Sequence, residues 1–273
     1  RNSGLGREND QAPDSGGLSN PASNTFISIV RGYQGKVFND AEVAQNFAVL
    51  TTTAPADVAV TTTGNQTYST VELSTDVTLT AGGDLTIQGD VDSREQTVSS
   101  DLTISAGNNA DLQGNVGGTS RLTNLTTDAT SGTVTFSSGG TVQTIHIQTH
   151  NGTTNTSAAT TFNGHTLTFA DGGSLTGATA ITAEGEGGDI ILGGDVTFTG
   201  NATLIADDNV LMQGVALAAG SSNTFVGEVV RFSGALSGTT ADVEVRAGGR
   251  NQPSGVTEFD NTVNVGTLQV FGG

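Results

Sequence analysis

Carboxylates in glycine-rich turns are the first residues here whose type and spacing suggest chemistry. Residues 82–91 have the sequence GGDLTIQGDV, and residues 187–196 repeat it as GGDIILGGDV. Each copy carries two aspartates, Asp84 and Asp90 in the first and Asp189 and Asp195 in the second. Oxygen-rich corners bind Ca²⁺, so these four are candidate Ca²⁺ ligands. The nonapeptide calcium repeat is absent in clean form, so solvated Asx turn residues are the alternative interpretation.

Histidines and catalytic groups form no recognisable pattern. His146 and His150 are four residues apart, but on a predicted strand and turn rather than a helix, so we expect ordinary outward-facing residues. A polysaccharide lyase or hydrolase needs paired carboxylates or a base in an aromatic-lined cleft. The chain has no Trp, two Tyr and a single lysine, Lys36. We therefore predict a protein that is not an enzyme, with no catalytic residues and no obligatory cofactor.

The aspartates and histidines lie between or on short predicted strands in which apolar and polar residues alternate. The phrase Thr-Phe-Asn-Gly at 161–164 recurs in looser form along the chain, each time before another short apolar run. Imperfect repeats of this length are typical of solenoids, in which like residues of successive turns lie one above another. The phenylalanines of these phrases are therefore predicted to form a core stack, and they are Phe136, Phe162, Phe198, Phe225 and Phe259.

Composition favours a thin core over a thick globular one. Hydrophobic residues make up 34% of the 273, aromatic residues 5%, and there are 39 Gly but only 4 Pro. A β-sandwich also has short strands at close spacing, but the recurrence of whole phrases favours stacked turns. We predict an all-β chain whose residues 71–273 form a parallel β-helix.

The N-terminal quarter differs from the repeats. Residues 1–24 are a polar tail, and residues 25–70 are predicted to cap or join the solenoid. In that segment Phe26, Ile27 and Ile29 belong to a predicted strand. Asn39 or Asp40 is a suitable N-cap for a short helix through Phe47, and a strand-and-loop segment is the alternative.

Charge excludes some partners. The net charge is −18, from nine basic and 27 acidic residues, which argues against nucleic acid and against an anionic membrane surface. No apolar run approaches the ~18 residues of a membrane helix, so membrane insertion is not expected. The absence of cysteine is compatible with a secreted bacterial protein that folds without disulfides.

The last residues form a strand of the repeat type with no polar cap after it. Leu268, Val270 and Phe271 are on this strand. Either the chain is cut from a longer rod, or its bare end stacks on the next subunit in a head-to-tail homopolymer. The second interpretation makes these three residues, with Phe26, Ile27 and Ile29, an assembly interface.

Residues 70–273 resemble the repeats of large bacterial surface proteins, the filamentous-haemagglutinin-like and autotransporter-type adhesins. The resemblance lies in the style of residues 161–164, 187–198 and 200–204. It implies a right-handed parallel β-helix and an exported, cell-surface protein with a structural or adhesive role. Two functions follow as expectations. One is a subunit of an extracellular filament or surface layer, and the other is a monomeric adhesin segment that binds carbohydrate or a host surface through its corner loops.

Overall fold

A continuous parallel ladder forms the body of the chain. The computed structural model describes residues 37–40, 45–51, 57–94, 100–248 and 255–272. Within these residues the structure is all-β, and the strands stack in parallel into about ten turns of a β-solenoid. The predicted parallel β-helix is therefore confirmed.

The strands are short, and several run around a corner of the solenoid. The first thirteen are β1 Val37–Asp40, β2 Gln45–Thr51, β3 Val58–Thr62, β4 Gln66–Leu73, β5 Val77–Ala81, β6 Leu85–Ile87, β7 Val91–Ser93, β8 Leu102–Ala106, β9 Ala110–Leu112, β10 Leu125–Phe136, β11 Gly140–Gln143, β12 Ile147–Thr156 and β13 Thr160–Gly164. The others are β14 Thr166–Phe169, β15 Gly173–Leu175, β16 Thr179–Ala183, β17 Ile190–Leu192, β18 Val196–Phe198, β19 Ala202–Ile205, β20 Asn209–Met212, β21 Val215–Leu217, β22 Ser222–Gly227, β23 Val229–Phe232, β24 Leu236–Ala247, β25 Val256–Phe259 and β26 Val263–Phe271.

Three faces result, named A, B and C in the order in which the chain visits them. Face A runs through β1, β3, β5, β8, the first halves of β10 and β12, then β14, β17, β20, β23 and β25. Face B holds the first parts of β2, β4, β24 and β26, the second halves of β10 and β12, and β6, β9, β15, β18 and β21. Face C holds the second parts of β2, β4, β24 and β26, with β7, β11, β13, β16, β19 and β22.

Strict alternation of apolar and polar residues explains why these sequences form strands with one buried and one outward side. In β5, Val77, Leu79 and Ala81 are buried while Thr78 and Thr80 face outward, and most strands follow the same rule. The register places like residues on like, so that threonines form an outward row on face A at Thr78, Thr103, Thr126, Thr149 and Thr168. β-Branched outward residues favour the extended backbone, and the buried aliphatic residues close a narrow core that no single turn could form.

The helix predicted through Phe47 is wrong. Residues 37–40 and 45–51 are strands, and they pair in parallel with β3 and β4. Helical spacing of apolar residues was the basis of the prediction, but hydrogen bonding to the next turn decides the backbone. The parallel ladder therefore reaches at least to Val37, further toward the N-terminus than residue 71. The predicted tail at 1–24 lies outside the described residues.

The five repeat phenylalanines face the core but do not form one stack. Phe136, Phe162, Phe198 and Phe225 are buried, and Phe259 packs partly buried against the core. Phe136 and Phe198 are on face B, Phe162 and Phe225 on face C, and Phe259 on face A, so the single column is a wrong prediction. Turns of unequal length shift each repeat around the solenoid. Phe136 and Phe162 do meet edge-to-face, with ring centroids 5.2 Å apart.

Candidate functional site

The last described turn, β25 with β26, exposes apolar residues whose in-register neighbours in the preceding turn are core residues. Leu268 lies in register with Val243 and Val270 with Val245, which are 2% and 0% exposed. Leu268 is nevertheless 38% and Val270 47% exposed. Their side chains continue the apolar column, and no described residue lies on top of them.

The backbone of this turn is open as well. β25 pairs with β23 and β26 with β24, and among the described strands none pairs with their other edges. An unpaired strand edge is a template for a further strand, here one running parallel. The last described turn thus combines an apolar column end with a row of peptide groups that no other described strand pairs.

Phe271 differs from its two neighbours in the predicted interface. It is in register with the outward Arg246, whose guanidinium carbon lies 5.8 Å from the centroid of the Phe271 ring. Phe271 is therefore 51% exposed on the outer wall of face C, beside the column end rather than on it. Phe26, Ile27 and Ile29 lie outside the described residues.

The candidate Ca²⁺ ligands have another role in the structure. Oδ1 of Asp90 accepts hydrogen bonds from the backbone N–H of Asn115 at 2.8 Å and from its side-chain amide at 3.3 Å. Asp84 does the same with Asn109, at 3.2 Å and 3.1 Å. Each aspartate holds the corresponding corner of the next turn.

The second pair repeats the arrangement. Oδ1 of Asp189 accepts from the backbone and side-chain N–H groups of Asn209 at 3.0 Å and 2.7 Å, and Asp195 accepts from the backbone N–H of Gly214 at 3.0 Å. At a corner the backbone leaves the strand conformation, and the carboxylate replaces the missing carbonyl acceptor. Within the described ranges no three His, Asp or Glu side chains gather as a metal-binding group.

Face C carries a polar groove of about 340 Å³ near the N-terminal end of the described part of the solenoid. Glu72 and Asp92 are neighbours in register there, and Arg94 Nε lies 3.9 Å from Glu72 Oε1. Asp92 Oδ1 accepts from the backbone N–H groups of Thr119 and Ser120 at 2.9 Å and 3.1 Å. The aspartate thus positions the following loop through its hydrogen bonds, and no aromatic ring is among the described residues that line the groove.

His150 is the residue that sequence reasoning placed wrongly. It is fully buried, with ring centroids 5.3 Å from Phe136, 5.8 Å from Phe162 and 4.9 Å from Phe169. Its Nδ1 lies 2.8 Å from Thr127 Oγ1, and its Nε2 has no hydrogen-bond partner among the described residues. Aligning residues 148–150, QTH, on residues 167–169, LTF, could have found it, because His150 then takes the place of the buried Phe169.

Parallel β-solenoid is the class that this fold defines. Comparison with models of known protein families, with curated proteins and with solved structures gave no match. No helix of the described part is long and apolar enough to cross a membrane.

Proposed function

We propose that this chain is a non-enzymatic structural subunit of an extracellular bacterial filament or surface layer, assembled head to tail through the ends of its solenoid. The observation that carries the proposal is the last described turn, where Leu268 and Val270 occupy core positions that no described residue covers. The occupant that we propose for this surface is a second copy of the same chain.

A contact of this kind propagates. The open edge of β25 and β26 can pair with further parallel strands, and the apolar column end can pack against another apolar turn. A second copy of the chain has strands of this kind at the same spacing. The contact would be heterologous, since one end of a copy meets the other end of the next. Heterologous contacts that do not close into a ring generate fibres.

The composition supports the extracellular setting. The chain has no cysteine, a single lysine and a net charge of −18, and its repeat style resembles that of bacterial surface proteins. Residues 1–60, including Phe26, Ile27 and Ile29, are proposed to help join the copies.

Electron microscopy of matched variants tests the proposal. Wild type should form regular fibres, and Leu268→Lys/Val270→Lys should abolish them because two ammonium groups would be buried in the joint. Thr267→Lys/Gln269→Lys is the control, since those residues of the same strand lie in register with the outward Asp242 and Glu244. Fibres from both variants, or single rods from wild type, would contradict the proposal.

A second candidate is the monomeric adhesin. Ile145 and Ile147, at the corner between faces C and A, are 40% and 47% exposed, and end-to-end stacking would not cover them. This favours a lateral contact with a carbohydrate or host surface through corner loops. Loss of cell binding in Ile145→Ser/Ile147→Ser, with fibres retained, would support adhesion as a separate activity.

A further inference from the structure

We infer that the turn formed by β12 and β13 is an acid-sensitive boundary, at which the solenoid opens as the pH falls while the apolar turns on at least one side stay folded. This turn covers residues 147–164 and lies in the middle of the described part of the solenoid. The inference concerns a single copy of the chain and is independent of how copies assemble.

The core of this turn is polar. Its inward side chains are at most 3% exposed, and they are Gln148, His150, Thr154, Thr156, Thr160 and Phe162. In the turn that begins at β8 the inward side chains are Leu102, Ile104, Ala106, Ala110, Leu112 and Val116. In the turn that begins at β17 they are Ile190, Leu192, Val196, Phe198, Ala202 and Leu204. A polar layer thus lies between two apolar turns, β8–β9 and β17–β19.

The polar residues occupy positions of the apolar column. Gln148 lies in register between Leu125 and Leu167, and His150 lies in register with Phe169 of the following turn. The stability of a solenoid is approximately a sum over its turns and the contacts between neighbouring turns. Polar side chains contribute less to such a contact than apolar ones of similar size. The contacts that β12–β13 makes with its two neighbours are therefore weaker than those between apolar turns.

Hydrogen bonds satisfy this layer only in part. Gln148 Nε2 donates to the backbone carbonyls of Val142 at 3.1 Å and Asn163 at 2.6 Å, but its Oε1 has no partner among the described residues. His150 Nδ1 lies 2.8 Å from Thr127 Oγ1, and its Nε2 likewise has no described partner. Two buried polar atoms on one strand thus lose water on folding without replacement. Opening the turn hydrates both, which lowers the free energy needed to open it.

No carboxylate on the surrounding strands faces the imidazole. On β10 to β16 the one charged or titratable residue besides His150 is Asp128, which is only partly buried and alternates with the inward positions of β10. The corners that join these strands add the exposed His146 and Asp171 and the half-buried His165, and none of them is an inward residue. A proton on His150 would therefore be uncompensated in the closed core, and water stabilises it once the turn is open.

Acid consequently favours the open form. Burial lowers the pKa of His150 from 6.5 to about 3, so the open turn binds a proton over a pH range in which the closed turn does not. The ratio of open to closed should rise as the pH falls below 6.5, by about 50-fold between pH 6.5 and pH 4.5.

Hydrogen exchange read by mass spectrometry tests the inference on the full-length protein. Rates at pH 6.5 and pH 4.5 are corrected for the intrinsic pH dependence of amide exchange and expressed as protection factors. Protection of the amides in β12 and β13 should fall by about 50-fold. The amides of β8–β9, of β17–β19 or of both should keep their protection.

Three variants separate the titration from the polarity of the layer. His150→Gln keeps a polar inward residue that does not titrate, so protection of β12–β13 should be the same at both pH values. His150→Leu restores an apolar contact and should exchange more slowly than wild type at pH 4.5, again without pH dependence. His146→Leu removes an exposed histidine and should keep the wild-type response.

Three results would overturn the inference. Equal losses of protection in β8–β9, β12–β13 and β17–β19 would mean that the solenoid opens as one unit. Unchanged protection of β12–β13 between the two pH values would mean that no boundary responds to acid. A response that persists in His150→Gln would assign the pH dependence to another group.

Discussion

His150 illustrates what a buried polar residue costs in a narrow core. Phe136, Phe162 and Phe169 surround the imidazole, and Thr127 is the one described residue that forms a hydrogen bond with it. Burial lowers the pKa of His150 from 6.5 to about 3, so the ring is neutral in the folded chain at ordinary pH. Asp128 and Asn151, the residues that follow Thr127 and His150 on the two paired strands, are only partly buried and alternate with the inward positions.

A pH-dependent stability follows from this lowered pKa. The unfolded chain binds a proton at His150 below pH 6.5 and the folded chain does not, so stability should fall as the pH drops from about 6.5 toward 3. The slope from this one group is about 1.4 kcal/mol per pH unit. Thermal unfolding of wild type and His150→Leu between pH 7 and pH 4 measures it, and the variant should lose that slope. The exposed His146→Leu should keep it, and equal slopes in wild type and His150→Leu would contradict the assignment.

Glycine is required at Gly172 by both backbone and space. Its φ is +76°, and a Cβ there would lie 2.0 Å from the carbonyl oxygen of Asp195 in the next turn. Gly220 has a similar φ of +69° with nothing within 4 Å of the added atom. The two positions therefore differ chiefly in whether the backbone of the neighbouring turn lies close to the glycine Cα.

This difference predicts unequal effects of alanine. Gly220→Ala should lose roughly 1–2 kcal/mol from left-handed strain alone. Gly172→Ala should lose a further 1–3 kcal/mol or so, because the backbone of two turns must separate. Chemical denaturation of both variants measures the free energies of unfolding, and equal losses would show that the close approach is unimportant.

At the scale of elements, the corners hold successive turns together as the strands do. Val91 N–H donates to the carbonyl of Asn115 at 2.8 Å, while Asn115 N–H donates to the Asp90 side chain. The same exchange links Asp76 with Asp101, through Val77 N–H to Asp101 O at 2.8 Å and Asp101 N–H to Asp76 Oδ1 at 2.9 Å. An Asx residue thus extends the ladder where the backbone turns.

Removing one corner acceptor should therefore weaken the stack measurably. Asp90→Ala leaves the Asn115 N–H without its acceptor and should lose about 1 kcal/mol. Asp90→Asn retains an oxygen acceptor and should recover most of the loss. Asp171→Ala is the control, since this exposed turn residue accepts no side-chain hydrogen bond from the described chain, and the change should stay within about 0.5 kcal/mol.

The same variants decide between an Asx corner and a Ca²⁺ site. Melting temperatures measured with added Ca²⁺ and with a chelator should coincide for wild type and Asp90→Asn. A Ca²⁺-dependent rise in wild type that Asp90→Asn abolishes would restore the metal interpretation.

The features that could be predicted from the sequence are those set by the local alternation of apolar and polar residues. Alternation in short runs such as residues 77–81 and 102–106 is enough to predict strands that bury one face. The repeated phrases indicated stacking, but not which face each copy occupies, since that depends on the summed length of the turns before it. The strand at Gln45–Thr51 and the burial of His150 were missed because both are decided by the neighbouring turn. The column end at Leu268 and Val270 was predictable, since their strand follows the repeat pattern.

At the scale of the whole molecule, charge opposes the assembly that we propose. Each copy carries a net charge of −18, so two copies repel as they approach. The proposed joint would bury Val265, Leu268 and Val270, which are apolar. Salt should therefore weaken the long-range charge repulsion between copies but leave the burial of apolar side chains at the contact largely unchanged.

Raising the salt concentration should consequently promote fibre formation. The screening length falls from about 30 Å at 0.01 M salt to about 8 Å at 0.15 M, which weakens repulsion between copies while the apolar contact is unaffected. Sedimentation of fibres across a protein dilution series should give a critical concentration a few-fold lower at the higher salt. Leu268→Lys/Val270→Lys should stay in the supernatant at both. A critical concentration that rises with salt would mean that ion pairs, rather than the exposed column end, hold the copies together.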